Sequence, residues 1–151
     1  MEAGDYSDED VDVFGVAQLL VKHGANVNAE DNLGRTPLLA PLRRVLELED
    51  HSDDVFSIAQ LLVEHGADVN TRDEDHEIPL HLASRLVSLE VVWTFLKHGA
   101  DLNAENKENK IPLQLTRESI REEMKQSLSE YSIRRAWRAE GVALMGMLSG
   151  Y

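Results

Sequence analysis

Six histidines and 28 acidic side chains are the groups of this 151-residue chain with the reach for metal binding or acid–base work, since it contains no cysteine. Three of the histidines, His23, His65 and His98, each stand directly before a glycine at matching places. Spread one per matching segment, they would lie about 10 Å apart, the separation of packed helices, which is too far to share one metal. In the last turn of a helix a histidine instead complements the dipole. Asp68-x-Asn70 and Asp101-x-Asn103 open like a calcium loop. The sixth position, however, holds Asp73 or Asn106 where glycine must turn the chain, and the twelfth holds Pro79 or Pro112 where glutamate must ligate. The dense titratable cluster of Asp73, Asp75, His76, Glu77 and His81 could hold a general base, yet it falls at a turn expected to solvate its charges. No Gly-rich phosphate loop, Gly-x-Ser-x-Gly elbow or His-Glu-x-x-His helix is present. No catalytic residue, metal site, cofactor or small-molecule ligand is expected.

The elements that position these residues are written in a repeated phrase: LLVKHGANVN at 19–28, LLVEHGADVN at 61–70 and FLKHGADLN at 95–103. From Gly66 to Gly99 is 33 residues, and from Gly24 to Gly66 is 42; the prolines Pro37, Pro79 and Pro112 keep the same intervals. A fixed period makes the chain a stack of small units, with an insertion of nine residues between Pro37 and Gly66. The best-kept unit, 78–103, reads as two short helices and a connecting turn. Pro79 suits a first helical turn, followed by Leu80, Leu82 and Ala83 as apolar positions. Ser88 is the expected cap of the second helix, whose apolar face is Leu89, Val92, Trp93, Phe95 and Leu96, and Gly99 ends it in the left-handed conformation.

The other units vary this grammar. Gly34, His76 and Asn109 occupy equivalent places; glycine there implies positive φ, which suits Asn better than His, so the middle turn is expected to be strained or differently shaped. Thr36 can cap the helix begun by Pro37, whereas Ile78 and Ile111 offer no side-chain oxygen, a loss of about 0.5–2 kcal/mol each.

A formal net charge of −13 disfavours nucleic acid and anionic lipid surfaces. The acidic beginning, MEAGDYSDEDVD, and the lack of an eighteen-residue apolar run make cytoplasm or nucleus the expected location, away from membranes.

The residues Thr36-Pro37-Leu38-Leu39-Ala40, Ile78-Pro79-Leu80-His81-Leu82-Ala83 and Ile111-Pro112-Leu113-Gln114-Leu115-Thr116, with the repeated HGAxxN endings, resemble the ankyrin-repeat pattern of Thr-Pro-Leu-His-x-Ala at a 33-residue period. The resemblance covers roughly residues 11–130, three to four repeats, the first without its first helix. It implies an all-α solenoid of helix-turn-helix units joined by short hairpin loops, with a C-terminal extra helix. The expected organisation is an acidic leader at 1–10, the repeats at 11–131 with the insertion near 45–53, and an apolar helix at 132–151 that caps the stack or docks elsewhere. Residues 37–48 read as an extended first helix that Pro41 either kinks or restarts, and Asp53 or Asp54 as the next cap.

The resemblance further implies a protein-binding module without catalysis, contacting its partner through hairpin tips and a concave face. It places Asn32, Leu33, Arg35, Glu74, Asp75, Glu77, Lys107, Glu108 and Lys110 on the tips, and Arg43, Arg44, Arg85, Leu86 and Arg117 at the far ends of the first helices. Four arginines along one groove of an acidic protein point to an acidic or phosphorylated peptide; as solvated surface charges they would bind nothing. The alternatives are an adaptor whose C-terminal helix recruits a second protein, and a degenerate fragment of a larger array.

Overall fold

The computed structural model describes residues 12–48, 53–86 and 88–139. Every element in it is helical: α1 (Val13–Lys22), α2 (Leu39–Leu48), α3 (Asp53–Glu64), α4 (Pro79–Leu86), α5 (Leu89–Lys97), a 3-10 turn at Pro112–Leu115 and α6 (Glu118–Ala139). Units of two short helices cannot each enclose a core, so they stack in two layers. α2, α4 and the 3-10 turn touch in series on one side and α1, α3 and α5 on the other, with α2 against α3 and α4 against α5 closing the space between. That space holds Leu38, Leu39 and Leu42 of the second unit, Leu80, Leu82, Val92, Phe95 and Leu96 of the third, and Met124 of α6. Each such side chain contributes about 1.5–3 kcal/mol by leaving water.

The stop signals act as the sequence requires. Gly24, Gly66 and Gly99 have φ of 84°, 89° and 88°. The following alanines close the turn, Ala25 N–H donating to the Leu20 carbonyl, Ala67 to Leu62 and Ala100 to Phe95, at 2.9–3.0 Å. His65 and His98 add their Nδ1 to the carbonyls of Leu61 and Thr94, at 2.8 and 2.9 Å.

The helix starts depart from expectation in instructive ways. Thr36 Oγ1 accepts the Leu39 N–H at 3.4 Å. At the next two units the traffic runs backwards, because His81 Nδ1 accepts the Ile78 N–H at 3.1 Å and Gln114 Oε1 accepts the Ile111 N–H at 2.9 Å. Each unit therefore keeps one half of a capping box, and the isoleucines are not the open caps their side chains suggest. Pro41 neither kinks nor restarts α2; it is the third residue of a helix that begins at Leu39, where its missing N–H has no intrahelical use. Asp53 and Asp54 are the first two residues of α3, inside its first turn and past the cap position expected for one of them. Ser88 occupies the N-cap position of α5, but its hydroxyl makes no capping bond.

The middle turn keeps the shape of its neighbours, with His76 at φ 59° beside Gly34 at 69° and Asn109 at 57°. At the C-terminal end one uninterrupted helix, α6, runs through the boundary expected at 131, for no glycine or proline stands there to break it. Tyr131 anchors it, donating to the Leu96 carbonyl and meeting Trp93 edge-on at 6.1 Å. The expected leader at 1–10 and the residues after Ala139 lie outside the described residues.

Candidate functional site: hairpin tips and the adjoining groove

Three tips, at 31–35, 73–77 and 106–110, share one hydrogen-bond plan. The first residue of each exchanges backbone bonds with the fourth and fifth, as Asp31, Asp73 and Asn106 donate to the carbonyls of Arg35, Glu77 and Lys110 at 3.0–3.1 Å. The side-chain Oδ1 of that same first residue accepts two further N–H groups: Leu33 and Arg35 on Asp31, Asp75 and Glu77 on Asp73, Glu108 and Lys110 on Asn106. An acceptor with two lone-pair directions aimed at a closed turn explains why only Asp or Asn stands there. This turn-closing role was not among the expectations for Asp31, Asp73 and Asn106, although their recurrence five residues before Thr36, Ile78 and Ile111 is a signal for it.

The tips are tied to the stack by charge. Arg43, from α2, donates to Asp73 and to Asp75 on the second tip. The Asp73 side chain is fully buried, and the Arg43 guanidinium draws the Asp75 carboxyl below the usual range. Arg85, from α4, grips Glu77 with two bonds of 2.5 and 2.8 Å, and Asn106 of the third tip adds a third bond at 3.1 Å. On the exposed first tip, Arg35 holds Asp31 down to about 2.

Several positions expected to face a partner are therefore taken up, wholly or in part, by contacts within the chain. Glu77 is 2 % exposed, and Leu86 packs against the core. Arg43 and Arg85 are already engaged by the chain's own carboxylates. The cluster considered as a general base is not solvated as expected, since Asp73, Glu77 and His81 are buried while His76 points outward. His81 spends both ring nitrogens: Nδ1 on Ile78, and Nε2 as donor to the Lys110 carbonyl at 3.0 Å. Burial pushes its imidazole below the ordinary value. A ring so committed has no lone pair for a substrate or metal.

What remains presented is a row of side chains on a stiff base. Leu33, Glu74, Lys107, Glu108 and Lys110 are exposed, Lys110 pairing with Glu108 at 2.6 Å. Arg44 and Arg117 are exposed and make no ion pair among the described residues. Beside the first tip, Arg35, Ala40, Arg43, Arg44 and Glu47 line an open groove of about 370 Å³. Among the described residues, no three His, Asp or Glu lie close enough to hold a metal ion, and no helix is long and apolar enough to cross a membrane.

A family model described as ankyrin repeats, in three copies, matches residues 16–106, well over half of the chain. No curated protein matches it.

Proposed function

The chain belongs to the ankyrin-repeat family, whose repeats are generally protein-binding modules, and from this premise we propose that it captures a protein segment bearing carboxylates or phosphates, without catalysis, in the cytoplasm or nucleus. The segment lies across the tips and the groove at Arg35, Arg43 and Arg44. The observation that carries this reading is the tethering of the second and third tips through Arg43, Arg85 and Asn106. A surface fixed before binding loses little conformational freedom on contact. Among the arginines expected to face a partner, Arg44 and Arg117 make no ion pair with the described residues, and a planar fork suits carboxylate or phosphate.

The test is an array of acidic, phosphoserine and basic peptides probed with the full chain. Preferential capture of acidic and phosphorylated peptides, lost in Arg44→Glu, is expected. Equal capture of basic peptides would sink the proposed partner chemistry. Arg44 is the position to reverse, because reversing Arg43 would also unfasten the second tip.

The adaptor reading draws on α6, whose 22 residues make a rod of about 33 Å that continues past its anchor at Tyr131. If it recruits a second protein, truncation after Ser132 leaves the unfolding midpoint in place and removes that partner alone.

A further inference from the structure

Helix α1 differs from its two counterparts in what covers it. Aligned on the closing glycines, Val16 corresponds to Ile58 and Val91, and Leu20 to Leu62 and Phe95. Those four counterparts are 8 %, 3 %, 5 % and 0 % exposed, whereas Val16 and Leu20 are 49 % and 56 % exposed; Val13 and Leu19 are bared to a similar degree. Phe14, Ala17 and Val21 are spent on the core shared with α3, so the bare side chains form a second apolar stripe on the same helix. In the other units this stripe is covered by a helix of eight or ten residues, α4 on α5 and α2 on α3. Among the described residues no such helix lies on α1, and the cover its bare stripe fits is a short helix with an apolar face.

We propose that a second copy of this chain supplies it, α1 packing on α1 in antiparallel fashion about a two-fold axis beside Val16. Three features of α1 fit itself. It has 10 residues, the length of the covers seen inside the stack. Its bare stripe carries no charge. Its ends carry opposite charges, Asp12 at the N-cap and Lys22 in the last turn, so antiparallel pairing sets Asp12 near the partner's Lys22 at both ends, and parallel pairing would set like against like. In this register Val13 meets the partner's Leu20 and Val16 meets its own symmetry mate. One helix pair buries less than a standard interface, so the dimer is weak, in the micromolar to millimolar range. Two chains of charge −13 also repel, and moderate salt strengthens the pairing.

Sedimentation equilibrium of the full chain between about 10 and 500 µM tests this, with a monomer–dimer curve expected. Leu20→Glu is expected to abolish it while leaving the circular dichroism spectrum unchanged, since Leu20 is mostly solvated. The chain has no cysteine, so single thiols map the geometry. Val16→Cys should crosslink to itself under mild oxidation, and Val13→Cys should crosslink to Leu20→Cys in a mixture far more than either does alone. Self-crosslinking of Val13→Cys and of Leu20→Cys would mean parallel pairing and overturn the proposal. So would a dimer indifferent to Leu20→Glu. A chain monomeric throughout the range would overturn it too; slow alkylation of the Val16→Cys thiol would then assign the cover to the chain's own residues, and fast alkylation to no cover at all.

Discussion

The carboxylate of Asp73, fully enclosed on the second tip, is met by the guanidinium of Arg43 from a helix 30 residues earlier in the chain. Removing Arg43 leaves a buried carboxylate with only the two backbone N–H groups of Asp75 and Glu77. Arg43→Ala is expected to cost on the order of 3 kcal/mol in urea unfolding, and Asp75→Ala, whose carboxylate is half exposed, under about 1 kcal/mol. Equal costs would show that the buried member is not the one that matters.

Asn28 and Asn70 each clamp the following unit. Asn28 Nδ2 donates to the Gly66 carbonyl at 3.0 Å while its Oδ1 accepts from Asp68 at 2.8 Å, and Asn70 repeats both bonds on Gly99 and Asp101. Among the described residues Asn103 meets no such turn. Asn70→Ala should therefore lose about 1–2 kcal/mol, two modest hydrogen bonds, and Asn103→Ala almost nothing. Denaturant midpoints of the two variants compare them directly.

The pH dependence follows from His81. Because its folded pKa lies below the unfolded value of 6.5, the unfolded chain takes up the proton first; stability is full above about pH 6.5 and falls as pH drops below it. The thermal midpoint should decline from pH 7 to pH 5. His81→Gln, which puts at 81 the residue that already caps Ile111 from position 114, should flatten that decline. An unchanged slope would assign the protonation elsewhere.

His76 holds φ at 59° without glycine's freedom. His76→Gly or His76→Asn, the residues found at the sister positions 34 and 109, should raise stability by about 0.5–1 kcal/mol. No gain in the unfolding midpoint would mean the turn is unstrained.

Thr116 is 2 % exposed, and its hydroxyl has no hydrogen-bond partner among the described residues. It stands where the preceding unit has Ala83. Thr116→Val, which keeps the volume and removes the stranded oxygen, should stabilise the chain by about 1 kcal/mol by calorimetry.

Local chemistry was legible in the sequence, and long-range pairing was not. Gly24, Gly66 and Gly99 end helices because of their own backbone freedom, and Pro79 begins one for the same kind of reason, so a single chain read in order reveals both. The interior fate of Glu77 depends on Arg85 and Asn106 closing over it, eight and 29 residues away. Nothing near position 77 announces them. The ion pairs of Arg43 with Asp73 and Asp75 are as silent in the sequence, for a guanidinium looks alike there whether it faces a partner or its own neighbour. Ser88 failed as a cap although the residue type was right, because the type permits the bond and backbone geometry decides it.

The asparagine clamps run in one direction, each unit holding only the next. When the two ends of the chain are drawn apart, these clamps lie in series, and the load passes through every one of them in turn. The structure then yields at its weakest link, not all at once. That link is α1, which has no fully buried side chain and is joined ahead by Asn28. Under tension the molecule should lengthen in steps, α1 first, and act as a soft spring whose first extension leaves the tethered tips of the second and third units intact.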